Sequence, residues 1–126
     1  MISQILDRLY IGDAEYTQED LDRLKINYVL NVGGKITGME DKQIHMSDDG
    51  KNPLWMGPTI IGELGRKLSH TYQWRVLVHC RGGISRSVFI ILLWLEKMGM
   101  SRDEAYEFIK KKHPISQVNL DLLRSV

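Results

Sequence analysis

The stretch Val78-His79-Cys80-Arg81-Gly82-Gly83-Ile84-Ser85-Arg86-Ser87 concentrates the reactive side chains of this sequence. Val76, Leu77 and Val78 form an uninterrupted apolar run, as in a strand covered on both faces. Ser87–Met98 reads as a helix buried on most sides and stopped by Gly99. His79–Arg86, between them, is a glycine-containing turn. A strand, a tight turn and a helix start in that order can aim successive backbone N–H groups inward and form a cup for an oxyanion. Gly82 and Gly83 permit backbone angles that side chains forbid and let an anion approach closely. Cys80 stands at the lip of the cup. A free thiol is mostly protonated at neutral pH, but inward amides, a helix N-terminus and a nearby cation favour the nucleophilic thiolate. Arg86 supplies the cation, and its planar fork takes two phosphoryl oxygens at once, as lysine does not. Those donors can also grip the equatorial oxygens while a phosphoryl group passes from ester to sulfur. A guanidinium at a helix start opposes the helix dipole, so a purely structural role explains Arg86 poorly. The expected substrate-binding set is Arg81, Gly82, Gly83, Ile84, Ser85 and Arg86. The side chains of Arg81 and Ser85 point out of the loop, where substrate contact and no contact are equally open.

The elements that must position this loop are legible as patterns. Ile5, Leu6, then Leu9, Tyr10, Ile11 read as two short strands broken by Asp7–Arg8. Thr17 is a candidate N-cap for a helix carrying Leu21 and Leu24. Tyr28–Val32 predicts a buried strand closed by Gly33–Gly34, and Gln43–His45 a weaker strand that delivers the chain to the polar loop Met46-Ser47-Asp48-Asp49-Gly50. Gly57–Pro58 opens a helix with Ile60, Ile61, Leu64 and Leu68 at helical spacing. Ser101 and Glu104 form a capping box for a further helix ended by Pro114, and Val118–Leu123 predicts a short last one. Strands interleaved with helices predict an α/β domain around a mostly parallel sheet. Trp55, Met56 and Trp74 read as core or edge packing, with Trp55 and Met56 near enough to the polar loop to border a cleft.

Bulk properties exclude several function classes. The chain has 126 residues, 43% of them hydrophobic and 26% charged, and a formal net charge of +1. That length builds one domain, and that charge gives no case for a general nucleic-acid or membrane binder. One cysteine permits no intrachain disulfide, which fits a reducing, cytoplasmic setting. Four scattered histidines without a cysteine pair leave zinc poorly supplied, so neither metal nor cofactor is expected. No secretory signal opens the chain, and the longest apolar run, Val88 to Leu95, is far short of the ~20 residues that span a bilayer. A monomer is expected.

Cys-x5-Arg with an internal glycine resembles the His-Cys-x2-Gly-x2-Arg-Ser/Thr motif of the protein tyrosine phosphatase superfamily, matched at His79, Cys80, Gly83, Arg86 and Ser87. The resemblance is closest to small dual-specificity phosphatases and spans nearly the whole chain. It includes Ile5-Leu6-Asp7-Arg8-Leu9-Tyr10-Ile11-Gly12, Asn27-Tyr28-Val29-Leu30-Asn31-Val32, Asp103-Glu104-Ala105-Tyr106 and Asn119. It implies one catalytic domain over 1–126, with about five mostly parallel strands flanked by helices. It also implies hydrolysis of phosphotyrosine and phosphoserine or phosphothreonine in proteins through a cysteinyl-phosphate. An upstream aspartic acid would protonate the leaving oxygen and then activate water; alignment on Met46-Ser47-Asp48 selects Asp48, with Asp49 in reserve. Ser87 would donate a hydrogen bond to sulfur, and His79 would orient the loop without touching substrate. Asn119 is more simply a helix cap. Low-molecular-weight tyrosine phosphatases place the cysteine near the N-terminus, unlike this chain, and rhodanese-like domains lack an upstream acid loop. Hydrolysis of RNA 5′-triphosphates or phosphoinositides, the latter through Arg81, and phosphoprotein binding with little turnover are the alternatives.

Overall fold

Side-chain alternation along three central strands divides the hydrophobic residues between two faces of one sheet. On β2 (Leu9–Gly12), β3 (Tyr28–Asn31) and β5 (Val76–His79), the side chains of Leu9, Ile11, Tyr28, Leu30, Val76 and Val78 join the larger core. Their neighbours Tyr10, Val29 and Leu77 join a smaller cluster on the opposite face. Such a period-two split buries both faces, which is why these strands read as nearly continuous apolar runs. The structure, a computed structural model, describes residues 1–69, 71 and 73–125. The sheet is completed by β1 (Ile2–Leu6) and β4 (Lys42–Gln43), in the order β1-β2-β5-β3-β4. β1 pairs antiparallel with β2, and the other pairings are parallel. This agrees with the α/β fold expected from the sequence.

Helix α1 (Gln18–Leu24) covers the smaller face, and α2 (Met56–Leu68), α3 (Arg86–Lys97), α4 (Arg102–Lys112) and α5 (Leu120–Arg124) pack on the larger. The start signals act as expected: Thr17 and Ser101 both form reciprocal capping boxes, with Asp20 and Glu104. α3 buries Val88 through Leu92, and Gly99 follows its end at φ +108°, a left-handed conformation that suits glycine. Trp55 departs from expectation. It is 59% exposed, because it precedes α2 at a turn where its ring projects from the core.

Parallel register fixes where the loops meet. Asn31 lies opposite His79 and Gly12 opposite His79 on the other side, so the segments after β2, β3 and β5 leave the sheet side by side. Clefts in parallel sheets form at such carboxyl ends. β4 differs from the expected Gln43–His45: it has two residues, Lys42–Gln43. Asp41 compensates for this shortness. Its Oδ2 accepts from Val29 N at 2.8 Å while its own amide donates to Val29 O at 2.9 Å. This side chain replaces a ladder bond and sets the register from which the chain enters the polar loop.

Among the described residues no helix is long and apolar enough to cross a membrane. Asp41→Ala should cost about 1 kcal/mol, since it strands the Val29 amide. Thermal unfolding and hydrogen exchange at that amide measure it; unchanged protection there would contradict the register role.

Candidate active site

Five backbone carbonyls at the end of β5 and along the loop after it are taken up by donors from outside the loop. His79 O accepts from Val32 N at 2.9 Å, Arg81 O from Ala14 N at 3.2 Å and Ile84 O from Gln117 N at 2.8 Å. Ser85 O accepts from Phe89 N at 2.8 Å inside the first turn of α3, and Gly83 O faces His113 Nε2 at 2.7 Å. In a planar trans peptide the following N–H lies opposite the carbonyl. Carbonyls tied outward therefore leave amides for the interior, the geometry of an anion cup. The cleft they border has a volume of about 520 Å³, and its lining includes Cys80, Arg81, Gly82, Ile84, Ser85 and Arg86.

The structure sets Gly83 apart from the other residues of the expected substrate-binding set and adds a second duty at Ser85. Gly83 does not line the cleft: it is buried at φ +66°, and a Cβ there would come within 2.9 Å of the Gly12 carbonyl carbon. Glycine is needed for packing of the loop on β2. Ser85 lines the cleft, but its hydroxyl donates to Asp48 Oδ1 at 2.6 Å and accepts from Asn119 N at 2.9 Å. It connects the acid loop to the start of α5. Asn119 keeps its capping role as well, its Oδ1 accepting from Asp121 N at 2.9 Å.

Cys80 is 3% exposed and its Sγ lies 3.2 Å from the Ser87 hydroxyl. Asp48 lines the same cleft, whereas Asp49 does not. Asp49 Oδ1 takes the Ser47 hydroxyl at 2.6 Å and the Lys51 amide at 2.9 Å, an Asx turn that holds its carboxylate below its ordinary pKa. Geometry thus favours Asp48 over Asp49. Gly50, next in the loop, packs so closely on the Asp121 carbonyl that a side chain would have no room.

Arg86 is held by residues the sequence did not single out. Its Nη1 donates to Met46 O at 3.1 Å. A Cβ on Gly33 would fall 2.5 Å from the same nitrogen, so the guanidinium rests on bare backbone. Gly33 is fixed in turn by its amide bond to Asn31 Oδ1 at 2.9 Å. Asn31 Nδ2 donates to Glu40 Oε2 at 2.9 Å. Burial works against the Glu40 charge, but bonds from the Thr37 amide, the Asn31 amide group and the Gly38 amide outweigh it and hold the pKa down at about 2. Glu40 Oε2 also lies 4.0 Å from His79 Nε2. The His79 ring is fully buried against Tyr16, with centroids 4.7 Å apart. Burial lowers its pKa, opposed by a loose contact with the Cys80 backbone and by the Glu40 and Asp13 carboxylates. Among the described residues no group satisfies hydrogen-bond geometry at either ring nitrogen. His79 does not line the cleft.

The family description "Dual specificity phosphatase, catalytic domain" matches residues 9–126. The chain belongs to this family. It is 35% identical over 120 residues to human "Dual specificity protein phosphatase 9", covering 86% of this chain and 31% of the relative. Human "Dual specificity protein phosphatase 7" is 38% identical over 123 residues, covering 86% and 28%. The chain therefore spans less than a third of the length of these curated relatives. Among solved structures, a mouse putative dual specificity phosphatase complexed with zinc tungstate superposes with a TM-score of 0.80 at 24% identity, covering 98% of this chain and 82% of the other. The PTP-2 phosphatase of Cydia pomonella gives 0.84 at 16% identity, covering 98% and 86%. These two likenesses show that the chain shares its fold with those two phosphatases.

Gly33, Asn31, Glu40 and His113 escaped sequence reasoning. The signal for Gly33 was present: a glycine pair follows a buried parallel strand whose carboxyl end must face the cleft. Gly33→Val should push Arg86 from its seat and lower kcat/KM by about a hundredfold, read with an aryl phosphate; a wild-type value would show that Arg86 needs no such shelf.

pH should also report on the buried groups. His79 and His113 both have pKa values below the ordinary 6.5, burial being the largest cause in each. As pH falls through 6.5, the unfolded chain takes up protons that the buried rings refuse, so stability falls. Glu40 extends the loss: its contribution is complete above 4.5 and disappears as pH falls through about 2. A thermal midpoint that declines from about pH 7 to about pH 4 is expected, and a rising one would contradict burial of neutral imidazoles.

Proposed function

We propose that this domain hydrolyses phosphotyrosine and phosphoserine or phosphothreonine in proteins through a cysteinyl-phosphate on Cys80. One observation carries this: Cys80, Arg86 and Asp48 line a single cleft, and the carbonyls of Arg81, Gly83, Ile84 and Ser85 in its loop are taken up by donors from outside the loop. In the first step the Cys80 thiolate attacks phosphorus, the P–O ester bond breaks, and Asp48 gives its proton to the leaving oxygen. Arg86 and the loop amides stabilise the charge on the equatorial oxygens. In the second, Asp48 takes a proton from water, whose oxygen attacks phosphorus as the P–S bond breaks. The Ser87 hydroxyl, 3.2 Å from Sγ, stabilises the departing thiolate.

The rim supports a substrate larger than inorganic phosphate. Ile84 is 44% and Leu120 60% exposed, and both line the cleft, offering apolar contact to an aryl ring without closing over it. Arg81, exposed at the lip, is available to a second anionic group. His79 acts behind the loop, as a positioning residue for Cys80. On this reading the domain works as a monomer in the cytoplasm, without metal or cofactor.

The decisive experiment is rapid-mixing turnover of an aryl phosphate with EDTA present. A burst of aryl alcohol and trapping of phosphate on Cys80 are expected, with loss of both in Cys80→Ser; activity abolished by EDTA would remove the mechanism. A phosphoprotein binder would show no burst. Asp48→Ala should lower kcat by about a hundredfold or more and remove the fall in rate on the alkaline side of the pH profile. Asp49→Ala producing that effect instead would exchange the two roles. A panel of phosphopeptides, phosphoinositides and RNA 5′-triphosphates tests the substrate class, and higher kcat/KM on either of the last two would overturn the protein-substrate assignment.

A further inference from the structure

Four of the five outward ties on the loop carbonyls come from backbone amides, those of Val32, Ala14, Gln117 and Phe89. The fifth comes from a side chain. His113 Nε2 lies 2.7 Å from Gly83 O, and the ring is 0% exposed. A carbonyl can only accept, so Nε2 carries the hydrogen. The other ring nitrogen faces Ser3 Oγ on β1 at 2.7 Å. With Nε2 protonated and the ring neutral, Nδ1 accepts from that hydroxyl, which selects the tautomer the Gly83 bond needs. Burial pushes the His113 pKa down, helped by the N-terminal amine and opposed by the Gly83 carbonyl and Asp13.

Gly83 is where an external tie matters most. Glycine has little intrinsic preference among backbone conformations, and another glycine precedes it. Local sterics alone therefore hold the Gly83–Ile84 peptide weakly. With its carbonyl drawn toward His113, planarity turns the Ile84 amide to the opposite side, and Ile84 lines the cleft beside Cys80. The same segment reinforces the hold. Ser116 Oγ donates to His113 O at 2.6 Å, Gln117 N to Ile84 O at 2.8 Å, and Asn119 N to Ser85 Oγ at 2.9 Å. Residues 113–119 thus form a strap bonded to three consecutive loop residues, with His113 at its first point of attachment.

We propose that His113 is a positioning residue of the phosphate cup: its Nε2–H holds the Gly83 carbonyl outward and keeps the Ile84 amide aimed at the bound phosphoryl group and the Cys80 sulfur. This role rests on the cup being a phosphate site, as argued above. The side chain touches neither substrate nor sulfur. A donor of similar reach at position 113 should therefore preserve function, and an apolar side chain of similar bulk should not.

The test compares the whole chain with His113→Leu and His113→Gln, using orthovanadate as the probe of the cup and iodoacetamide as the probe of Cys80. In His113→Leu, vanadate should bind about tenfold more weakly, as expected for one lost charge-assisted hydrogen bond. The pH at which Cys80 alkylation is half-maximal should rise by about one unit, the same free-energy change read on the thiolate. His113→Gln should return both to within about threefold of wild type, because its amide donates. Wild-type values in a folded His113→Leu, checked by circular dichroism, would overturn the role, as would a His113→Gln variant as impaired as His113→Leu. Should the leucine substitution prevent folding, nitrogen-15 spectra of the wild-type imidazole decide instead. A neutral Nε2–H ring supports the bond, and an Nδ1–H ring overturns it. Wild-type protein that fails to bind vanadate would remove the phosphatase assignment itself, a result distinct from any difference among variants.

Discussion

A trans peptide cannot point its carbonyl and the following amide the same way. Much of this molecule is arranged around that constraint. To gather amides around an anion, the loop from His79 to Arg86 must send its carbonyls outward, and buried carbonyls need donors. The donors come from four separate places: the end of β3, the segment after β2, the connection between α4 and α5, and the first turn of α3. The mostly parallel five-stranded sheet brings the first two beside β5 through register alone. The helices bring the others. The cup is thus a product of the whole tertiary structure, though its reactive residues lie within eight consecutive positions of the sequence.

Two neighbouring residues of the cup also hold the acid loop. Ser85 bonds the Asp48 carboxylate, and Arg86 bonds the carbonyl of Met46, two residues earlier in the chain. Guanidinium has five N–H donors, so one engaged by Met46 leaves the fork free to meet two phosphoryl oxygens. The acid loop is further pinned by Asn52, whose side chain accepts from Ser47 N at 2.7 Å and donates to Ser47 O at 2.9 Å. Cys80, Arg86 and Asp48 are therefore held in fixed relation around one cleft. Preorganisation of this kind avoids the cost of reorientation during the reaction.

What could be read from the sequence, and what could not, follows from the range of the interactions involved. Capping boxes at Thr17 and Ser101, the buried strand at Val76 and the buried helix after Ser87 depend on neighbours within a few residues, so their signals are local. The cysteine and arginine carried a motif because both sit on one loop. The second duty of Ser85 was invisible because its partners, Asp48 and Asn119, lie 37 and 34 residues away. Gly83 reads as a substrate contact because glycine there permits both a tight turn and a close approach; that a side chain at this position would meet Gly12 depends on packing 71 residues away in the sequence. Asp48 and Asp49 are adjacent, and composition cannot separate them. Their backbone environments do, since one carboxylate closes an Asx turn and the other enters the cleft.

Glu40 shows how far the same support extends. Its carboxylate is ionised in a mostly buried setting, a costly state unless hydrogen bonds compensate. Three backbone or amide donors do so: Thr37 N, Gly38 N and Asn31 Nδ2. Asn31 then has its oxygen free for Gly33 N, and Gly33 forms the surface beneath Arg86. The negative charge near His79 and the cation at the cleft are thereby joined through one asparagine and one glycine. Replacing Glu40 by a neutral residue would leave Asn31 Nδ2 with only the Lys35 carbonyl, 3.0 Å away, and relax the shelf from behind. The buried carboxylate is thus better understood as part of the support for Arg86 than as an acid or base in its own right. Its depressed pKa of about 2 follows from that structural duty, because a group held by three donors in its charged form gives up its charge only in strong acid.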